Sequence, residues 1–216
     1  RSIQLQSLNK LAGFGMRLKN SLTTNLIVVI CGFYFTASFF PNILHTSLPL
    51  QQELFLIKSA VFPDGQLHGV DQGEYWRLIT VALTHGSWLH LLFNMLALAQ
   101  LGIAIETIYG KAKYLFIILV SLLTASAASY FFNPTNTPAV GASGMIFGLF
   151  AALMVSGRRY GVDMKNVIGV VVINLLITFL VPNIDWHAHV GGLIGGAIAT
   201  YLVRGFNGPK QRLRNI

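Results

Sequence analysis

The chain has 216 residues, of which 54% are hydrophobic and 10% charged, with a net charge of +8 and a mean hydropathy of +0.62. A soluble domain carries about 25% charged residues, so this composition excludes an ordinary soluble fold and indicates lipid as the solvent. The single cysteine, Cys31, excludes an internal disulfide framework and a multi-thiolate metal site. The basic residues fall in short groups between apolar runs, which is typical of membrane flanks and argues against a nucleic-acid partner.

Six apolar windows approach the roughly 20 residues that a membrane-crossing helix needs. In chain order they cover about residues 25–40, 86–106, 113–132, 140–156, 166–182 and 187–203. The first 24 residues are polar and mixed, without the h-region of a cleavable signal peptide, and the start at Arg1 leaves a longer native N-terminus open. We predict an all-α, multi-pass membrane protein with an N-terminal segment over 1–24, a six-span core over 25–203 and a basic tail over 204–216.

The distribution of basic residues predicts the orientation of these spans. With the N-terminus in the cytoplasm, thirteen Lys and Arg residues lie on the inner side and two, Lys58 and Arg77, on the outer side. Because Lys and Arg accumulate in cytoplasmic loops, both termini are predicted to be cytoplasmic.

One long external connection, about residues 41–85, separates the first two predicted spans. Its many apolar and aromatic residues are too numerous for a flexible linker, and a connection of this length usually has internal structure or a function. We predict a partly membrane-embedded element that lies against the helical bundle.

Polar residues from three predicted spans fall at one depth. His85 precedes the second span, His90 and Asn94 lie one and two turns inside it, Ser143 begins the fourth span and His189 the sixth. At 1.5 Å per residue all lie within roughly 10–15 Å of the external surface. Since polar groups in a membrane are costly, their common depth indicates a functional site.

These residue types favour hydrolysis through a serine nucleophile. Ser143 can attack an amide carbonyl if a base such as His189 takes its proton. His90 and Asn94 are four residues apart on one helical face, so both can point at a developing oxyanion. Asp185 precedes His189 by one turn and is predicted to lie in the loop ahead of the helix, so we expect a catalytic pair rather than a triad.

Small residues accompany the serine and the histidine. Gly144 and Gly148 form a stripe beside Ser143, and Gly192 and Gly196 form another below His189. Such stripes let helix backbones approach closely in a membrane, as a direct hydrogen bond between the serine and the histidine requires.

Taken together, these motifs resemble the rhomboid family of intramembrane serine proteases over about residues 25–203. The matching motifs are Trp76-Arg77, His85-x4-His90-x3-Asn94, Glu106 with Gly110, Gly141-Ala142-Ser143-Gly144 and Ala188-His189-x2-Gly192-x3-Gly196. One position departs from the family pattern: Phe147 stands where the family often has a tyrosine stacked on the catalytic histidine. A phenyl ring can still stack, but any role of the hydroxyl is lost.

The resemblance implies a function and a site. Ser143 would be the nucleophile, His189 the general base, and His90, Asn94 and the Ser143 amide the oxyanion hole. Trp76 and Arg77 would belong to the external loop of the family. The implied substrates are single-span membrane proteins cut in or beside the membrane, with no metal or organic cofactor, and the six-span form suggests a bacterial cell membrane. The oligomeric state is not indicated.

Other interpretations stay open at this point. Four histidines, His85, His90, His187 and His189, could in principle bind zinc, but HExxH is absent and no carboxylate accompanies them within the spans. A transporter would show inverted repeats or broken helices, which are not evident. A proteolytically inactive relative that binds transmembrane clients is the third alternative, although Ser143 and His189 are both retained.

Several residues also have simpler readings. His85 is as compatible with structural support as with catalysis. His187 points some 200° away from His189 around the helix, so the two cannot share a task. Trp76 is typical of an interfacial anchor, and Arg77 could equally contact lipid headgroups.

Overall fold

The computed structural model describes residues 21–45, 48–157, 165, 168–169, 171–172 and 184–204. The described part is mostly helical. Its α-helices are α1 (Leu22–Phe39), α2 (Leu50–Leu54), α3 (Arg77–Thr80), α4 (Trp88–Tyr109), α5 (Lys111–Phe132), α6 (Ser143–Ser156) and α7 (Trp186–Arg204). A two-stranded antiparallel hairpin, β1 (Ala60–Val61) and β2 (Leu67–His68), pairs Ala60 with His68 and Val61 with Leu67.

Among the described helices, three are long and apolar enough to cross a membrane, and their composition confirms an integral membrane protein. They are α1, α4 and α5, which correspond to the first three predicted windows. Helix α6 is apolar but shorter, and α7 coincides with the sixth window. The fifth window, 166–182, lies largely outside the described residues, so the count of six spans stays a prediction.

The N-terminus of α1 is fixed by an acidic residue near the end of α4. Glu106 accepts hydrogen bonds from the backbone amides of Leu22 and Thr23, at 2.8 and 3.0 Å, and from the hydroxyls of Ser21 and Thr23. Amides in the first turn of a helix have no partner inside the helix and favour a negative charge. This contact therefore ties α1 to α4 at the end of the bundle that is predicted to be cytoplasmic.

Helices α5, α6 and α7 form the most closely packed part of the bundle. A Cβ atom added at Gly192 would overlap the carbonyl oxygen of Gly144, and one at Gly196 would overlap that of Gly148. The backbones of α6 and α7 are therefore in direct contact, which only glycine allows at these positions.

The connection between α1 and α4 contains α2, the hairpin, α3 and two short 3-10 turns, Val70–Gln72 and Val81–Leu83. Arg77, the first residue of α3, is completely buried within this connection, so the alternative of a contact with lipid headgroups is wrong. Its guanidinium donates to Glu74 and to the carbonyls of Gln52 and Phe55, at 2.6, 2.7 and 2.8 Å. A buried arginine that holds backbone carbonyls stabilises the irregular course of this connection.

Candidate active site

Ser143 and His189 meet between α6 and α7. Ser143 is the first residue of α6, and its Oγ lies 2.8 Å from Nε2 of His189, which is buried on the first turn of α7. With the ring proton on Nδ1, Nε2 accepts the serine proton. The separation is that of a nucleophile and its base.

The ring of Phe147 stacks on His189. The ring centroids are 4.1 Å apart and the planes differ by 12°. Phe147 lies one turn after Ser143 on α6 and is buried. One helix therefore supplies both the hydroxyl in contact with the imidazole and the flat surface that fixes the plane of the imidazole.

The backbone before Ser143 depends on glycine. Gly141 has a φ of +112°, in the left-handed region, and its amide donates to the carbonyl of Val81 at 3.0 Å. A Cβ atom at this position would lie 2.8 Å from Cε1 and 2.9 Å from Nε2 of His90. Gly141 therefore permits both the turn into α6 and the close approach of the His90 ring.

Candidate oxyanion donors line the same cavity. His90 and Asn94 of α4 line it together with Ser143, and the Asn94 side-chain amide donates one hydrogen to the His90 carbonyl at 3.0 Å. An amide group carries a second hydrogen. No side chain among the described residues caps the N-terminus of α6, where the first amides are without partners inside the helix.

His85 lies behind His90. Their rings meet edge to face with centroids 5.1 Å apart, and His85 is not among the described residues that line the cavity. Burial lowers the pKa of His85 to about 4, and the neighbouring His90 acts in the same direction, so the ring is neutral at pH 7. This position favours a structural role for His85, which packs against a candidate oxyanion donor.

The cavity has a volume of about 920 Å³. Its wall is mostly apolar. The polar residues that line it are Ser87, His90, Asn94, Gln100, Ser126, Ser129, Ser143, Asp185 and His189. A mostly apolar cavity with a few polar groups is typical of a binding site.

Four of the other predicted site residues do not line this cavity. Trp76 and Arg77 belong to the connection between α1 and α4, and Gly192 and Gly196 to the contact of α6 with α7. His187 turns away from His189 and contacts Asn133, with Nδ1 2.6 Å from Oδ1. In the described part of the chain, no group of three or more His, Cys, Asp or Glu residues is arranged to hold a metal.

Asp185 is a cavity residue that the sequence did not indicate as one. Its Oδ1 accepts a hydrogen bond from the Ala188 amide at 3.0 Å, as an N-cap residue does, and its Oδ2 is buried. An aspartate three residues before an amide at a helix start is a recognisable capping signal, but it does not reveal where the second oxygen points.

The long apolar helices make the chain a helical integral membrane protein, and a serine–histidine contact lies inside its helical bundle. The family model of the rhomboid domain matches residues 72–206, more than half of the chain. The chain therefore belongs to the rhomboid family.

Named relatives agree with this assignment. Rhomboid protease GluP of Bacillus subtilis (strain 168) is 44% identical over 135 residues, which are 60% of this chain and 26% of GluP. Putative rhomboid protease YdcA of the same organism is 37% identical over 62% of this chain and 70% of YdcA. Rhomboid protease AarA of Providencia stuartii is 33% identical over 58% of this chain and 55% of AarA. The chain thus aligns with about a quarter of GluP and about half of AarA.

Proposed function

We propose that the chain is an intramembrane serine endopeptidase that uses Ser143 and His189 as a catalytic dyad. The observation that carries the proposal is the 2.8 Å contact between Ser143 Oγ and His189 Nε2 inside an apolar cavity. Membership of the rhomboid family, whose named relatives include proteases, supports it.

In the acylation step His189 takes the proton from Ser143, and the serine oxygen attacks the scissile carbonyl carbon. The carbonyl oxygen becomes negatively charged and receives hydrogen bonds from the Ser143 amide, Asn94 and His90. The intermediate then collapses, the peptide C–N bond breaks, and the protonated His189 gives its proton to the leaving amine.

Deacylation repeats the same transfers with water. His189 takes a proton from a water molecule, the hydroxide attacks the ester carbon, and the proton returns to Ser143 as the acid product leaves. Phe147 keeps the imidazole plane fixed in both steps. No step requires a metal or an organic cofactor.

The substrates would be single-span membrane proteins cut in or beside the membrane. Attack requires an extended backbone, whereas lipid favours helices because every backbone polar group must be satisfied internally. Segments with helix-weakening residues near the cut should therefore be preferred. Equal cleavage of a stable poly-leucine span would contradict this preference.

The finer architecture belongs to the same proposal. It consists of six spans over residues 25–203, with residues 1–24 and the basic tail 204–216 in the cytoplasm and the active site near the external face of a bacterial membrane. The connection over about 41–85 would be partly embedded in the outer leaflet.

Covalent labelling tests the dyad directly. A fluorophosphonate should label the purified parent protein in detergent, while Ser143→Ala should abolish the label and His189→Ala should reduce it to background. Labelling that persists in Ser143→Ala would overturn the assignment of the nucleophile. A parent that is folded but neither labelled nor able to cut any single-span substrate would favour the inactive, client-binding alternative.

A further inference from the structure

Contacts between the helices define the level of Ser143 in the bundle. A Cβ atom added at Gly144 would lie 2.5 Å from the Cβ of Ala125 on α5. One added at Gly141 would lie 3.8 Å from the side-chain nitrogen of Asn94 on α4. Because the serine stands between these two glycines, it is level with Ala125 and Asn94.

The cavity continues well beyond this level. Helices α4 and α6 run in the same direction, since Tyr109 and Ser156 near their far ends share a hydrogen bond. The cavity wall follows both helices, to Leu101 on α4 and to Leu153 on α6. These residues are seven and ten positions further along their helices, so at 1.5 Å per residue they lie about 10 and 15 Å beyond Ser143. We call this region the inner part of the cavity.

The inner part is lined almost entirely by apolar side chains. Ala97, Leu122 and Phe150 line it together with the two leucines at its end. Among the described residues of its wall, Gln100 is the one polar residue, and it is exposed. The other described polar residues of the cavity lie level with the serine, or nearer the start of α4, the start of α7 or the end of α5.

This lining limits what can occupy the inner part. An extended peptide carries an N–H and a C=O group at every residue, and burial of these groups without partners is unfavourable. A helix pairs its own backbone groups, but a helix about 10 Å wide and 15 Å long fills more than about 1,000 Å³. The whole cavity has about 920 Å³. A hydrocarbon chain is narrow, has no polar groups and gains from the burial of every methylene.

We propose that the chain also hydrolyses carboxylic esters of straight-chain fatty acids, with the acyl chain in the inner part and the ester carbonyl at Ser143. This inference rests on the proposed function, because it uses the same dyad. An extended chain advances about 1.2 Å per bond, since an extended residue of three bonds spans about 3.6 Å. The inner part therefore accommodates an acyl chain of about eight to twelve carbons.

The chemistry follows the steps proposed for a peptide. His189 takes the proton of Ser143 while the serine oxygen bonds to the ester carbon. The C–O bond to the alcohol then breaks, and His189 gives the proton to the leaving oxygen. Water attacks the acyl serine, its proton returns to Ser143 through His189, and the fatty acid leaves. One ester and one water give one acid and one alcohol, without oxidation or a cofactor.

A series of p-nitrophenyl esters tests the chain length. The butanoate, octanoate, dodecanoate and hexadecanoate are hydrolysed by the parent protein in detergent, and the rate of the Ser143→Ala protein is subtracted. The kcat/KM should rise by about two- to fourfold per methylene as far as the octanoate or dodecanoate, because each buried methylene is favourable, and should not rise further. A kcat/KM that does not depend on chain length, or a rate that survives in Ser143→Ala, overturns the inference.

Leu153 offers variants that change the length of the inner part. Leu153→Trp should lower the ratio of dodecanoate to butanoate kcat/KM about tenfold or more, because the last methylenes lose their place. Leu153→Ala should shift the best substrate towards longer chains. Its neighbour Met154 is exposed and outside the described wall, so Met154→Trp should keep the parent ratio. The ratio does not depend on the fraction of folded protein or on detergent, and equal ratios in all variants overturn the inference.

Cleavage of a single-span membrane protein separates this inference from the proposed proteolysis. Ser143→Ala should abolish both activities. A parent that cuts the protein substrate but shows no dependence on acyl length keeps the protease assignment and overturns the inference. A parent that hydrolyses the dodecanoate through Ser143 but cuts no protein keeps the inference and overturns the protease assignment.

Discussion

The imidazole of His189 is held by two neighbours on one helix, Ser143 at its Nε2 and Phe147 on its face. A phenyl ring supplies contact area and no hydrogen bond, so Phe147 acts on the plane of the imidazole through stacking. A pair of stacked rings contributes about 0.5–1.5 kcal/mol beyond the area that the rings bury. The effect of losing it should therefore be measurable but limited.

We expect Phe147→Leu to lower kcat about two- to tenfold, because a rotating imidazole is less often aligned with Ser143. Phe147→Tyr keeps the stacked ring and should stay close to the parent, which makes it the matched control. Steady-state cleavage of a single-span substrate measures both variants. Equal loss in the Tyr and Leu variants would mean that the size of the residue, not its stacking, matters.

Sequence reasoning reached only part of this site. The common depth of Ser143, His189 and Asn94 follows from counting residues along apolar helices, because each residue advances a fixed distance. The partners of Arg77 are backbone carbonyls 22 and 25 residues away, and no sequence pattern encodes a carbonyl.

At the level of helices, α6 and α7 touch through backbone atoms rather than through side chains. Hydropathy identified α1, α4 and α5 because those helices present apolar side chains to their surroundings. The glycine-rich α7 scores lower, although it is central to the packing, because glycine contributes contact without hydrophobicity. Small-residue spacing, rather than hydropathy, was the informative signal for this pair of helices.

Two glycines provide a test of this packing. Gly192→Ala places a methyl group against the carbonyl oxygen of Gly144 and should lower the free energy of unfolding by about 1–3 kcal/mol, a usual cost of overpacking. Gly32→Ala, in α1, meets no atom within 4 Å and should leave stability unchanged or raise it by about 0.5–1 kcal/mol. Unfolding of both variants in mixed detergent measures the difference, and equal effects would show that the α6–α7 contact is looser than described.

On the scale of the whole molecule, the connection between α1 and α4 is joined to the connection between α5 and α6. Leu56 and Ala139 exchange two backbone hydrogen bonds of 3.1 and 2.7 Å, and the Ser59 amide donates to the Thr135 carbonyl at 3.1 Å. Leu56 and Ala139 also line the cavity. Changes in the first connection can therefore reach the wall of the candidate active site.

Four charged or titratable side chains hold that first connection together. His68 has Nδ1 2.8 Å from Glu74 and Nε2 2.9 Å from Asp64, while Glu74 also accepts from Arg77 at 2.6 Å. Both ring nitrogens face carboxylates, and only the protonated imidazole has two N–H donors. The hydrogen bond with Glu74 and then that with Asp64 raise the pKa of His68 above its ordinary 6.5.

The pKa of Glu74 shifts in the opposite direction, to a lower value. Burial alone would raise its pKa, but hydrogen bonds from His68, Arg77 and the Gly69 amide outweigh burial and hold the pKa below the ordinary 4.5. A carboxyl group whose pKa is lowered in the folded state stabilises the fold at pH values above its unfolded pKa. A histidine whose pKa is raised in the folded state stabilises the fold at pH values below its unfolded pKa. Both contributions are complete only between about pH 4.5 and 6.5.

We therefore expect the melting temperature of the detergent-solubilised protein to fall as the pH rises through the raised pKa of His68. The melting temperature should fall by on the order of 1–3 °C, since solvent partly screens the interaction of His68 with its two carboxylates. His68→Asn should flatten this alkaline decline, because the variant has no group to deprotonate there. His45→Asn, an exposed histidine in the same connection, should keep the decline of the parent. If the His68→Asn protein retains the full decline, the imidazolium does not stabilise the connection, and another group must account for the pH dependence.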